Sequence, residues 1–264
     1  MLIVRRSVLS AVVGGLALAF GATPSNAAER APTIAAASDL SAALPEVAAA
    51  FQARTGRRVR FTFGSSGNFT QQILNGAPYE VFLSADEAYV ETLRKAGRTE
   101  GSGALYGTGR IGIFAPTGSP VRADAALAGL ATALRAGQVS KIAIANPEHA
   151  PYGRAAREAL LKAGLWDALQ GKLILGENVS QATQFAINGG AQAGIIPLSL
   201  TLTAPVKAAG TFVLIPADRH APLRQRGVLI RGAGTTAKAF YDFLQGREAR
   251  AILTRHGFTV PAVR

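Results

Sequence analysis

The chain has 264 residues, 48% of them apolar and 17% charged, with a formal net charge of +12 and no cysteine. That balance and length exclude a disordered chain and allow one large or two small cored units. The missing cysteines exclude disulfides, thiolate metal sites, a cysteine nucleophile and a lipid-anchored N-terminal cysteine. At the N-terminus, Arg5 and Arg6 precede an apolar run from Val8 to Ala22 and then Ser25-Asn26-Ala27. These are the three parts of a secretory signal peptide, expected to end at residue 27. The run is too short and glycine-rich for a comfortable membrane span. Ser10 stands where a twin-arginine signal carries a basic residue, so the general secretory route is expected.

Short apolar strands then alternate with helical stretches. Strands are expected at Thr33–Ala37, around Val59, Phe61 and Phe63, and at Val81–Ser84. Further strands are expected at Ile111–Phe114, Lys141–Ala145, Ala193–Ile196, Phe212–Ile215 and Val228–Ile230. Helices are expected from Leu40 to Phe51 by apolar spacing, at Asn68–Leu74, and at Asp86–Ala96 closed by Gly97. Others fall at Ala125–Arg135, Arg154–Ala163, Ser180–Asn188, Thr235–Gln245 and Glu248–Arg255. Repeated strand-then-helix order gives an α/β fold with mostly parallel sheets covered by helices. No Gly/Ser linker divides the chain, which fits two lobes built by a chain that crosses over and returns. The expected division is 28–109 in the first lobe, 110–203 in the second, and 204–264 back in the first.

Two serines share a setting that can bind anions. Ser38 follows one strand and Ser66 another, each ahead of a helix. Parallel strands deliver their C-terminal ends and the next helix N-termini to one sheet edge, where ligands bind. Helix N-termini present unpaired N–H donors and positive partial charge, and a serine adds a hydroxyl. A plain N-cap is the competing reading for each serine. Pro45 also argues that the turn after Ser38 is separate from the helix that follows. Two more strand-to-helix loops have comparable form: Ala145 to Gly153, and Gly176 to Ser180, where Ser180 looks like a cap.

Several segments carry a resemblance: Ala35-Ala36-Ala37-Ser38, Phe63-Gly64-Ser65-Ser66-Gly67, and Gly76-Ala77-Pro78-Tyr79-Glu80-Val81-Phe82-Leu83-Ser84-Ala85-Asp86. Asn146-Pro147-Glu148-His149-Ala150-Pro151-Tyr152-Gly153, Gly164-Leu165-Trp166, Glu177-Asn178-Val179 and Tyr241-Asp242-Phe243-Leu244 continue it in order. Together they resemble the periplasmic molybdate-binding proteins of ABC transporters over nearly the whole chain beyond residue 27. The resemblance implies a two-lobed type II periplasmic-binding fold with a ligand cleft between the lobes. It implies capture of molybdate or tungstate by the hydroxyl and N–H groups of Ser38 and Ser66. The N–H groups of Asp39, Tyr152 and Val179 complete the implied set, with the Tyr152 phenol outside it. Pro197 stands where some members carry a tyrosine, so that contact is missing, and the rival reading has the Tyr152 phenol replace it. The anion would be held as an oxyanion, with no bare metal ion and no cofactor. A periplasmic location, a monomer and a membrane permease partner are likewise implied.

Other function classes find little support in these residues. The basic residues are scattered, with no dense block interleaved with aromatics, which points to a solvated surface and not to a nucleic-acid groove. His149, His220 and His256 lack metal-ligand spacing and read as surface or loop residues. Gly64-Ser65-Ser66-Gly67 lacks both the phosphate-loop lysine and the nucleophile-elbow pattern. A receptor for another tetrahedral anion and a periplasmic hydrolase remain as alternatives to a molybdate receptor.

Overall fold

The computed structural model describes residues 30–261 and Leu2, so the expected signal segment otherwise lies outside the described residues. The chain opens with strand β1 (Thr33–Ala37), a 3-10 turn at Ser38–Leu40 and helix α1 (Leu44–Thr55). Pro45 sits in the first turn of α1, and this separates the helix from the turn that holds Ser38. There follow β2 (Arg60–Gly64), α2 (Ser66–Leu74), β3 (Val81–Ser84), α3 (Glu87–Lys95) and β4 (Thr99–Gly109). Next come β5 (Ile111–Pro116), α4 (Ala128–Arg135), β6 (Ile142–Ala145), α5 (Pro151–Lys162), β7 (Leu173–Gly176) and α6 (Val179–Ile187). The remainder is β8 (Ala193–Pro197), α7 (Leu198–Thr201), α8 (Ala204–Ala209), β9 (Gly210–Leu214), β10 (Leu223–Ile230), α9 (Thr235–Gln245) and α10 (Arg247–Arg255).

Two five-stranded sheets result, ordered β2-β1-β3-β10-β4 and β7-β6-β8-β5-β9. In each, four strands run one way and the fourth in order, β10 or β5, runs against them. Strands β1, β3, β6 and β8 are almost continuously buried, as expected when helices cover both faces of a sheet. The first lobe is packed around aromatic rings: Phe51 meets Phe240 and Phe243 at 5.4 and 5.6 Å between centroids. Such pairs add about 0.5–1.5 kcal/mol each beyond their buried area. The second lobe relies on branched aliphatics, with Ile113, Ile142, Ile144 and Leu160 fully or almost fully buried beside small alanines.

The chain passes from the first sheet to the second between Gly109 and Ile111. Its return corrects the sequence reading. Strand β9 belongs to the second sheet, paired antiparallel to β5, so the second lobe extends past residue 203. The return runs between Leu214 and Leu223. The sequence marks a strand at Phe212–Ile215, and only pairing decides which sheet it joins.

Two strands were absent from the sequence reading. In β4, glycines at 101, 103, 107 and 109 hide the apolar alternation. Where its pairing with β10 shifts register, glycine is needed: Gly103 has φ +69° and a Cβ there would lie 2.2 Å from the Gly227 carbonyl oxygen. Strand β7 is short and at a sheet edge, with Leu175 46% exposed, so its apolar run does not alternate.

Candidate functional site

The C-terminal ends of β1 and β2 in one lobe face those of β6 and β7 in the other. Each strand leads into a helical turn. Around the junction lies a small pocket lined by residues that include Ser38, Asp39, Ser66, Tyr152 and Val179. The structure thus brings together all five residues singled out in the sequence. Pro197 ends β8, paired with Ile111, and is not among the lining residues. Larger grooves beside Pro116–Pro120 and around Glu87 and Arg226 gather no such set of helix ends.

The two serines act differently from simple caps. Ser65, not Ser66, is the N-cap of α2, its hydroxyl accepting from Asn68 N–H. Ser66 is the first helical residue, fully buried, and its Oγ accepts the Ala85 N–H at 3.0 Å. The Ser38 Oγ likewise accepts the Ser180 N–H at 3.3 Å. A hydroxyl whose oxygen takes a backbone donor still has its own hydrogen to give. Ser180 is not a cap either: Asn178 caps α6, its Oδ1 accepting from Ser180 and Gln181 N–H. Replacing Asn178 by alanine is expected to lower stability by about 1 kcal/mol in urea melts, and a parental midpoint would remove it as the cap.

Backbone donors complete the lining. Ser66 and Val179 open α2 and α6, and Tyr152 is the second residue of α5, so their N–H groups have no carbonyl one turn back within the helix. Among the described residues, no acceptor outside the helices takes these three N–H groups. Each helix end carries about half a positive charge, and three such ends aim at one spot. No lysine or arginine lines the pocket. Among the described residues no three His, Cys, Asp or Glu side chains group as a metal site.

The lobes are closed on each other. Gly67 N–H donates to the His149 carbonyl at 2.9 Å, and Ser180 Oγ donates to the Ser38 carbonyl at 2.9 Å. Ser65 Oγ and His149 Nδ1 lie 2.9 Å apart, and Asn68 donates to Glu177 at 3.0 Å. Arg154 of the second lobe donates to the Tyr89 hydroxyl and pairs with Asp86, which caps α3. Deeper in, the Tyr152 hydroxyl donates to Asp39 Oδ2 at 2.8 Å, and Gln225 Nε2 donates to the same oxygen at 2.6 Å. The phenol is thus turned to Asp39, leaving the Tyr152 N–H as its part of the lining. Burial pushes the Asp39 carboxyl up to about 6, against the lowering effect of its Gln225 and Tyr152 hydrogen bonds.

Sequence reasoning missed this second set. His149 reads as a loop residue because its role lies in its carbonyl and in a serine 84 positions away. His220, expected at a surface or in a loop, lies in a loop but is buried, with Nδ1 2.7 Å from the Ala221 carbonyl oxygen. Gln225 lies 186 residues from Asp39, and no local pattern marks it.

The comparisons agree with this architecture. Residues 32–259 match the family model described as bacterial extracellular solute-binding protein. The chain belongs to that family. It is 36% identical over 254 residues to the molybdate-binding protein ModA of Rhodobacter capsulatus, covering 95% of this chain and 96% of the relative. It is 33% identical to ModA of Escherichia coli strain K12, covering 93% and 96% respectively. The solved periplasmic molybdate-binding protein of Azotobacter vinelandii superposes with a TM-score of 0.78 at 30% identity, covering 88% of this chain and all of that one. The two-lobed α/β architecture of this solute-binding protein is the type II periplasmic-binding fold. Among the described residues no helix is long and apolar enough to cross a membrane.

Proposed function

We propose that this solute-binding protein is a periplasmic receptor that captures molybdate, and with it tungstate, and delivers it to the permease of an ABC importer. It works as a monomer, without a cofactor, as a receptor and not an enzyme. The observation that carries the reading is the polarity of the pocket. Ser38 and Ser66 each receive a backbone N–H and so turn their own hydrogens free, beside three helix N-termini. A fully deprotonated tetrahedral dianion accepts hydrogen bonds and offers none. Hydrogen phosphate brings a proton that needs an acceptor, and a buried donor left facing another donor is costly. Sulfate has no such proton and is rejected by size. The likeness to relatives named for molybdate supports the same ligand.

The hydrolase alternative has one observation in its favour, the Ser65–His149 approach. That serine caps α2, and the pair bridges two lobes that must part to admit any ligand. A nucleophile and base separated by each opening are poorly placed for catalysis.

A ligand panel tests the proposal. Molybdate or tungstate at about 1,000 times Kd should stabilise the fold by about 4 kcal/mol, on the order of ten degrees in Tm. Micromolar molybdate and tungstate should give this shift, and sulfate and phosphate should not. A larger shift with sulfate or phosphate would overturn the assignment.

A further inference from the structure

The Asp39 side chain is a carboxyl group shut between the lobes at the edge of a pocket built for a dianion. Asp39 belongs to the first lobe, and its surroundings come from both. Tyr152 of α5 and Ser199 of α7 reach it from the second lobe, the hydroxyl of Ser199 donating to the Asp39 carbonyl at 2.7 Å. Gln225 of β10 reaches it from the first. Asp39 is fully buried, and its Oδ1 receives no hydrogen bond; Gln225 Oε1 is equally orphaned. The titratable groups that face it are the phenols of Tyr152 and of Tyr106 on β4, both neutral and both held well above their usual range by burial and by the carboxylate itself. Of the elements packed against the turn that holds Asp39, helices α6 and α7 carry no ionisable side chain, and strand β2 carries only Arg60, exposed at its far end and donating to the Thr33 hydroxyl. Among the described residues no lysine, arginine or histidine pairs with the carboxylate.

Opening the lobes withdraws Tyr152 and Ser199 and returns the carboxyl to water. Closing on a dianion does the reverse and adds a like charge nearby. Both changes favour the neutral acid. We propose that Asp39 takes up one proton from solvent as the lobes close on the anion, so that capture tightens as the pH falls. The inference rests on the reading of the pocket as an oxyanion site.

The sign follows from linkage. The group is more acidic when open and exposed than when closed and buried, so the closed form holds the extra proton. Closure is therefore favoured below the closed-form value, and that gain is lost as the pH rises through it. With a closed-form value of about 6, affinity at pH 5.5 should be about fourfold that at pH 7.5, and more as the bound dianion raises the value further.

The test is titration calorimetry with molybdate at pH 6.5 in buffers of different ionisation enthalpy, which counts protons exchanged on binding. The parent protein should take up a measurable fraction of one proton. Asp39→Asn retains an oxygen that accepts from Tyr152 and removes the titration. It should bind with no proton uptake and with a flat affinity between pH 5.5 and 7.5. Tight binding by the parent without proton uptake overturns the proposal and leaves the oxyanion reading intact. No binding of molybdate at any pH overturns both. Uptake that persists in Asp39→Asn assigns the proton elsewhere and also defeats the proposal.

Discussion

Alanine at Gly67 is expected to leave the fold intact and to remove tight capture of molybdate. Gly67 lies in the first turn of α2, where its N–H donates to the His149 carbonyl of the opposite lobe. A Cβ at this position would lie 2.6 Å from that carbonyl oxygen and 2.9 Å from the His149 Cβ. Both obstacles belong to the second lobe and are met only when the lobes are shut; the Tyr89 hydroxyl of the first lobe, also 2.9 Å from such a Cβ, is the movable end of a side chain and can give way. Within the open protein the substitution puts a better helix former into a helix, a gain of up to about 1 kcal/mol. The unliganded protein should therefore melt at or slightly above the parental temperature. Affinity should fall at least tenfold, equal to about 1.4 kcal/mol, because the closed state must distort to form. Small-angle scattering should show the compaction on adding molybdate in the parent and its loss in the variant. Parental affinity would falsify the assignment of this contact to closure.

The second large effect is expected at Ser66, with Ser38 as its contrast. Removing the Ser66 hydroxyl strips the buried Ala85 N–H of its acceptor, at about 1–3 kcal/mol of stability. It also removes a donor to the anion, and a charge-assisted bond is worth about 1.5–3 kcal/mol, or roughly 10- to 150-fold in Kd. Ser66→Ala should lose on both counts. Ser38→Ala should lose affinity alone, since Ser180 N–H, its partner across the cleft, is also held by Asn178 Oδ1 at 3.0 Å. Urea melts of the free proteins beside calorimetric titrations separate the two patterns. Unchanged affinity in both variants would refute the proposed site.

Strands β1, β3 and β6 were legible because their burial leaves a continuous apolar signature, whereas β7, which ends at the same pocket, was not. Thr33–Ala37 and Val81–Ser84 could be read with their observed bounds for that reason, as could helix Thr235–Gln245 from its apolar spacing. What was hidden depends on partners. The glycines of β4 look like turn residues until a bulged neighbour explains them. Which of two adjacent serines caps α2 turns on a single residue of register, and local sequence does not distinguish Ser65 from Ser66. The candidate anion ligands were recognisable because they sit in motifs beside strand ends. The Asp39–Tyr152–Gln225 contacts were not, since they join three distant segments and exist only where two lobes meet. Tyr152 shows the difference within one residue: the resemblance implies a place for its N–H, and nothing in the sequence points its hydroxyl to Asp39.

The two crossings between sheets also dictate an order of assembly. All strands of the second sheet lie within residues 111–214, so a chain released from its N-terminus completes that sheet from one unbroken stretch. The first sheet cannot close as early. Its strand β10 lies between β3 and β4, and β4 has no other neighbour in the sheet. Until residues 223–230 emerge, β3 and β4 stand as bare edges that invite pairing with other chains. During synthesis the lobe that starts first is thus finished last. Loss of the last forty or so residues would accordingly cripple the N-terminal lobe, while the central one keeps every strand it needs.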